Sequence, residues 1–191
     1  MVKYLKETIF IMIVFLSALT SVAQNVPAGV ALRVVIIRHG EKPDTGNNLS
    51  CQGLNRALAL PAVLDTVTGK PNFTYVPKIK LGDTTNSNRM FQTVTPFAVQ
   101  QNLYINSKFK ETDHAGAAKD VLTRSGMVLM VWEHTNIPGL AAALGVPGKL
   151  KWSGKDFGSI WIIDFVSTKT GLQFSKFTIE QENINPSATC P

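Results

Sequence analysis

The apolar run Val34–Ile37, followed at once by Arg38, His39 and Gly40, constrains the fold of this chain more than any other stretch. Four β-branched residues in succession, bounded downstream by a glycine and a proline, are typical of a strand buried on both faces. Such strands belong to parallel sheets covered by helices, and open α/β sheets bind ligands just beyond the carboxyl ends of their strands. The sequence therefore predicts a central strand that delivers a permanent cation and a titratable imidazole to a candidate anion site.

A second apolar run, 127–132, ends in the same way, with Glu133 and His134 directly after it. The chain has three histidines, and two of them follow strongly apolar strands. Because the carboxyl ends of parallel strands meet at one edge of a sheet, we expect His39 and His134 to lie side by side. Arg89 is a third candidate, since it follows a polar loop and opens a predicted helix whose free N–H groups suit an anion.

The remaining pattern alternates strands with helices, which predicts an α/β fold: a three-layer α/β/α sandwich with a mostly parallel central sheet. Ser50 is a plausible N-cap for the first helix. The other predicted elements are strands at 33–38, 73–79, 102–105 and 127–132, helices at 89–101, 113–124 and 137–144, and an antiparallel hairpin formed by 159–166 and 172–179. We expect residues 24–191 to form a single domain.

The N-terminus has the pattern of a secretory signal peptide over residues 1–23. Lys3 and Lys6 precede an uninterrupted apolar core at 9–19, and Ser21-Val22-Ala23 supplies the small residues that a signal peptidase requires. We therefore expect export, to a periplasm or to the outside of the cell. The alternative is a retained N-terminal anchor, and only in that case do we expect contact with a membrane.

The two cysteines, Cys51 and Cys190, have two interpretations. Export to an oxidising compartment favours a disulfide between them. The other interpretation is one small buried residue and one free thiol on the C-terminal tail, because sequence does not show whether the two approach each other.

The formal net charge of +6 permits an anionic partner. The lysines are spread along the chain, without the basic stripe interleaved with aromatic residues that is typical of nucleic-acid binding. We therefore expect no nucleic-acid partner.

Arg38-His39-Gly40 resembles the signature of the histidine phosphatase superfamily, which includes phosphoglycerate mutase, and the resemblance extends over about residues 33–165. Two further motifs follow in the right order, one similar to the second arginine motif of that superfamily and the other to its second histidine motif in an exported bacterial subgroup. The matching residues are Leu49-Ser50, Gly53 and Arg56-Ala57, then Ser87-Asn88-Arg89 with Gln92-Thr93, Pro96 and Ala98, then Trp132-Glu133-His134 with Ile137-Pro138 and Ala141.

The resemblance implies a phosphatase that forms a phosphohistidine on His39 without a metal or another cofactor. A neutral ring nitrogen would attack phosphorus and water would attack second, while a backbone carbonyl would hold the other nitrogen. Arg38 and Arg89 would grip the phosphoryl oxygens, Gly40 would contribute to binding, and His134, if protonated, would add positive charge. The expected partner is a small phosphorylated substrate, a phosphomonoester or phosphoramidate, or inorganic phosphate.

The sequence leaves the general acid open. Glu41 follows His39 by two residues, in a loop that could fold over the site. Glu111 and Asp113 lie after the second arginine motif, where some members of the superfamily carry a glutamate. Glu133 precedes His134, but strand alternation would point it to the opposite side. The last alternative is a site with no dedicated acid.

Two rival functions fit the same residues. One is a catalytically weak or inactive protein that binds phosphate or another anion in this pocket. The other is a metal site built from His39, His134 and a carboxylate. Two arginines at the same place disfavour a metal, because they repel a cation.

Overall fold

The computed structural model of this chain describes residues 26–82 and 87–191, so the predicted signal peptide at 1–23 lies outside the described residues. Its elements in chain order are β1 (Leu32–Arg38), α1 (Cys51–Val67), β2 (Phe73–Tyr75), α2 (Arg89–Gln101), β3 (Ile105–Asn106), α3 (His114–Val121), β4 (Gly126–Trp132), α4 (Ile137–Ala143), β5 (Ser159–Thr168) and β6 (Gly171–Gln181). None of the helices within the described ranges has both the length and the apolar content that a membrane span requires.

The strands form one mixed sheet in the order β3-β2-β4-β1-β5-β6. The first four strands are mutually parallel, while β5 runs antiparallel to both β1 and β6. The predicted α/β fold with a mostly parallel sheet is therefore confirmed. The two apolar strands β1 and β4 are neighbours, and Arg38 is in register with Trp132, so their carboxyl ends lie side by side as predicted.

Helices cover both faces of the sheet, which gives the predicted three layers. Alternate residues of β1 enter two different cores, and each is fully buried. Val35 and Ile37 pack in the core that contains residues of α1 and α2, whereas Val34 and Ile36 pack in the core that contains residues of α3 and α4. Burial of each such side chain contributes about 1.5–3 kcal/mol to the stability of the fold. This gain explains why the residues of β1 before Arg38 are apolar, with the exception of Arg33.

The bounds of the second and third predicted strands differ most from those in the structure, while the others agree within two residues at each end. β2 ends at Tyr75 rather than continuing to 79, since Pro77 has no N–H to donate to a sheet ladder. The strand predicted at 102–105 is displaced to β3 because Asn102 ends α2 in the left-handed conformation, with φ 51°.

Cys51 and Cys190 form a disulfide, with Cα atoms 4.5 Å apart. The bridge holds the C-terminal tail against the start of α1, where the Asn55 amide donates to the carbonyls of Ser187 and Thr189. In the chain-entropy description, a loop closed across 139 residues contributes about 4–5 kcal/mol to stability. The structure thus decides between the two interpretations of the cysteines.

Candidate active site

His39 follows β1 directly and is almost completely buried. Its backbone N–H donates to the carbonyl of Trp132 at 3.1 Å, which ties the ends of β1 and β4 together. Its ring Nδ1 lies 2.7 Å from the carbonyl oxygen of Gly40. A carbonyl oxygen only accepts, so Nδ1 carries the proton and Nε2 keeps a lone pair. The backbone acceptor that the sequence led us to expect is therefore present.

The surroundings of His39 keep its imidazole neutral. Burial lowers its pKa to about 4, and the charges of Arg38 and Arg89 act in the same direction, against the raising effect of the Gly40 carbonyl. The ring of Phe157 packs edge-on against the imidazole, with centroids 6.2 Å apart. At neutral pH the side chain is therefore an uncharged base with an available lone pair, which is the form that a nucleophile needs.

Arg38 is a buried cation, only 2% exposed, that is held by neutral groups. Its Nη1 donates to the carbonyls of Gly154 at 2.9 Å and Asp156 at 2.8 Å, and its guanidinium carbon lies 3.7 Å from the centroid of the Phe157 ring. Burial lowers its pKa to about 10, although nearby carboxylates, Glu133 first among them, oppose this. Its Nε is buried and has no hydrogen-bond partner among the described residues. An unmatched buried donor is costly, and an anion would satisfy it.

Arg89, the first residue of α2, lines a cavity of about 480 Å³ together with Glu111 and Glu133. Its Nε is also buried without a partner within the described chain, and its Nη1 makes a long contact of 3.4 Å to the carbonyl of Gly46. Arg89 lies close enough to lower the pKa of both Arg38 and His39. The structure therefore brings the three residues together around a region of positive potential.

His134 and Glu133 are in contact, with His134 Nδ1 2.5 Å from Glu133 Oε1. Burial and then the charge of Arg38 lower the pKa of His134, against the effect of Glu133. Burial would raise the pKa of Glu133, but the hydrogen bonds from Thr135 and the charge of His134 outweigh it, and the pKa lies below its ordinary value. The expectation that Glu133 points away from the site is wrong, because β4 ends at Trp132 and strand alternation stops there.

Glu41 is engaged elsewhere. Both of its carboxylate oxygens accept hydrogen bonds from Arg56, the shortest at 2.7 Å, and Arg56 also donates to Glu182 at 2.6 Å. The structure therefore places its carboxylate in an ion cluster with Arg56 and Glu182.

Of Glu111 and Asp113, the structure brings Glu111 to the cavity. Its oxygens accept from Ser87 Oγ at 3.2 Å and Lys80 Nζ at 3.3 Å. Asp113 instead caps α3 by accepting from the N–H of Gly116. In residues 26–82 and 87–191, histidine, cysteine, aspartate and glutamate side chains form no group of three or more that could hold a metal ion.

Gly40 uses both of its backbone groups within the protein. Its carbonyl holds His39, and its N–H donates to Oγ1 of Thr93 at 2.9 Å. A Cβ at this position would lie 2.7 Å from the carbonyl oxygen of Gly53, so a glycine is required where the loop crosses the start of α1. In this structure Gly40 supports the nucleophile.

Sequence reasoning missed the residues that hold Gly40 and Arg38 in place. Thr93 stands in the second arginine motif, but the motif does not say that its hydroxyl holds Gly40. Gly154 and Asp156 act through backbone carbonyls, which carry no side-chain signal. Phe157 is an aromatic residue in a loop and is indistinguishable in sequence from a packing residue.

Comparison with protein-family models gives no match to this sequence. Comparison with curated proteins gives no match either.

Solved structures do share its architecture. A protein histidine phosphatase SixA in complex with tungstate superposes with a TM-score of 0.55 at 14% identity, over 76% of this chain and 95% of that one. A mycobacterial glucosyl-3-phosphoglycerate phosphatase with inorganic phosphate gives 0.52 at 14% identity, over 80% and 99%. A phosphoserine phosphatase from Entamoeba histolytica with 3-phosphoglyceric acid gives 0.52 at 12% identity, over 80% and 100%. The chain therefore has the fold of the histidine phosphatases.

Proposed function

We propose that this protein is a metal-independent phosphatase that hydrolyses a phosphomonoester or a phosphoramidate through a phosphohistidine on His39. The observation that carries the proposal is a buried, neutral His39 with its Nδ1–H fixed on a carbonyl, beside two arginines whose buried Nε donors lack partners among the described residues. The fold agrees with this chemistry, because the structural neighbours named above are phosphatases, and one of them binds inorganic phosphate.

In the first step, Nε2 of His39 forms a bond to phosphorus while the bond from phosphorus to the leaving oxygen or nitrogen breaks. The phosphorylated ring keeps its Nδ1 proton, which the carbonyl of Gly40 stabilises. In the second step, water attacks phosphorus, the P–N bond breaks, and inorganic phosphate leaves with His39 restored. Arg38 and Arg89 bind the phosphoryl oxygens through both steps, and removal of one such preorganised donor typically costs about 10²–10³ in rate.

We assign the proton donor of the first step to Glu111. It lies on the cavity wall with Arg89. Glu133 is less suited, because hydrogen bonds from Thr135 and the charge of His134 hold its pKa below the ordinary value. After it has protonated the leaving group, the Glu111 carboxylate can accept the proton of the attacking water.

Glu111→Gln should lower kcat on benzyl phosphate by about 10²–10⁴-fold, because the poor alkoxide leaving group requires the proton. The same variant should lose less than about 10-fold on 4-nitrophenyl phosphate, whose leaving group needs little protonation. Glu133→Gln is the matched control and should affect the two esters equally. Equal losses on both esters in Glu111→Gln would remove Glu111 from this role.

The phosphohistidine is tested by rapid quenching with a labelled phosphomonoester in the presence of chelator. The wild-type protein should turn over the ester and carry label that is stable in base and lost in acid, as a P–N bond is. His39→Ala should lose both the label and the activity, whereas His114→Ala should retain the label. Chelator-resistant turnover in His39→Ala would overturn the mechanism, and phosphate binding without turnover in the wild type would favour the anion-binding alternative.

We also propose that the protein is exported after removal of residues 1–23. The signal-peptide pattern supports this, and so does the Cys51–Cys190 disulfide, since such bonds persist in oxidising compartments. N-terminal sequencing of the protein recovered from its host should begin near Gln24. A chain that retains its first 23 residues in the membrane fraction would show an anchor instead.

A further inference from the structure

A second and larger cavity, of about 640 Å³, adjoins the Arg89 cavity. Lys80 and Glu111 line both cavities. The walls come from two short segments, 78–81 and 110–112, which are held together by a 2.6 Å hydrogen bond from the N–H of Lys78 to the carbonyl of Phe109. Because the proposed proton donor stands on the shared wall, a leaving group that receives its proton there extends into this second cavity.

The second cavity is basic. Lys78, Lys80 and Lys110 line it, and Glu111 is the single acidic residue among its described lining residues. The ion pair between Lys80 and Glu111, at 3.3 Å, accounts for one of the three cations, and the Lys80 side chain is 63% exposed. The described lining therefore carries net positive charge.

The same cavity also offers apolar surface. Ile79 and Leu81 alternate with the lysines along one wall, and Leu81 is 85% exposed. An exposed leucine and a partly exposed isoleucine next to cations suit a ligand with an apolar skeleton that ends in an anionic group. A phosphoryl group bound in the Arg89 cavity would leave the surface of the second cavity without contact to the substrate.

We infer that the substrate is a phosphate ester whose leaving group has an apolar skeleton bearing a second anionic group, which Lys78 and Lys110 bind. This inference rests on the proposed phosphatase function, because it takes the Arg89 cavity as the phosphoryl site. The lysines are exposed to solvent, so their effect is moderate and sensitive to salt. A distal anion should raise kcat/KM by about 10-fold at low ionic strength, and the advantage should shrink as salt rises.

The test compares 4-carboxybenzyl phosphate with 4-carbamoylbenzyl phosphate. The two esters have the same size and nearly equal leaving groups, and they differ in the distal charge. The wild-type protein should prefer the carboxylate by about 10-fold in kcat/KM. Lys78→Gln/Lys110→Gln should reduce the preference to about 1 and leave kcat/KM on the carbamoyl ester within about twofold.

A matched control also removes two lysine charges, but at the opposite edge of the sheet. Lys169 lies in the turn between β5 and β6, and Lys176 lies on β6, the edge strand opposite β3. Lys169→Gln/Lys176→Gln should keep the preference for the carboxylate. An equal loss in both double variants would show that net charge alone attracts the substrate, and would overturn the assignment to this cavity.

The outcomes separate this inference from the proposed function. Turnover that depends on His39, without a preference for the carboxylate, would sink the inference and leave the phosphatase standing. If no ester is turned over, calorimetric binding of 4-carboxybenzylphosphonate and 4-carbamoylbenzylphosphonate still decides it. A preference for the carboxylate that Lys78→Gln/Lys110→Gln removes would support the cavity assignment, and equal binding of the two would refute it.

Discussion

Arg38 and Arg56 are both buried guanidinium groups, but their partners differ in kind. Arg56 is 6% exposed and is clamped by the carboxylates of Glu41 and Glu182. Burial lowers its pKa, but the two carboxylates outweigh burial and raise the pKa above its ordinary value. Arg38 is 2% exposed and is held by two carbonyls and the Phe157 ring, and its pKa falls to about 10.

The difference separates a structural ion cluster from a binding site. Arg56 has its compensating charges within the protein, so it joins the loop after β1, α1 and the segment after β6 into one unit. Within residues 26–82 and 87–191, Arg38 has no carboxylate partner and its Nε donor is unmatched. A buried charge is tolerated only when it is paired or is used, and the unmet charge of Arg38 is what a phosphoryl group would compensate.

The largest effect on stability is expected for Arg56→Ala. The substitution leaves the buried Glu182 and the partly buried Glu41 near each other without this cation, and we expect the free energy of unfolding to fall by about 3–5 kcal/mol. Chemical denaturation at pH 7 measures this loss. Adding Glu182→Gln to Arg56→Ala should recover part of it, because one of the two carboxyl groups left without Arg56 is gone. A loss below about 1 kcal/mol would show that the cluster contributes little.

Arg38→Ala should have the opposite profile, with a large effect on activity and a small one on stability. We expect kcat/KM on a phosphomonoester to fall by about 10²–10³-fold, because a donor to the phosphoryl oxygens is lost. The free energy of unfolding should change by less than in Arg56→Ala, since no buried carboxylate loses its partner. Arg38→Lys should restore little activity, because an ammonium lacks the planar fork. Full activity in Arg38→Ala would show that Arg38 is not part of a binding site, and the proposed difference between Arg38 and Arg56 would be wrong.

The smallest effect is a pH dependence that comes from Glu182. Burial raises its pKa from 4.5 to about 7, against the effect of Arg56. Between those values the folded state holds a proton that the unfolded state has released, so this group's contribution to stability falls as pH rises. Relative to the wild type, Glu182→Gln should gain about 1–3 kcal/mol from pH 4.5 to pH 8.

Denaturation curves across this pH range measure the effect of Glu182. Glu180→Gln, on the exposed part of β6, is the control and should run parallel to the wild type. Parallel curves for Glu182→Gln as well would mean that Glu182 titrates normally in the folded protein.

The N-cap at Ser50 and the buried strands β1 and β4 were predictable because their causes are local. Ser50 accepts a hydrogen bond from the N–H of Gly53, as a capping side chain does. Uninterrupted β-branched runs of this length require cover on both faces, and parallel neighbours bring their carboxyl ends together. The meeting of Arg38 and His39 with the end of β4 followed from these two facts.

The partners of the carboxylates were not predictable. Glu41 stands two residues from His39, but its direction depends on Arg56, which reaches it from α1 across the sequence. The orientation of Glu133 depended on where β4 ends, and a difference of one residue reverses the inference from alternation. The disulfide and the lysine-lined cavity likewise depend on distances between segments that are far apart in the chain.

The sequence by itself determined the layered α/β fold and the set of residues that could bind and attack a phosphoryl group. The reason is that strand burial and side-chain chemistry can be read from short stretches of the sequence. The tertiary structure alone decided which charges are satisfied within the protein and which are left for a ligand. The physical reason is that a charge is compensated by whatever lies within a few ångströms of it, and in this protein those neighbours come from other segments of the chain: Glu41 and Glu182 for Arg56, and the carbonyls of Gly154 and Asp156 for Arg38.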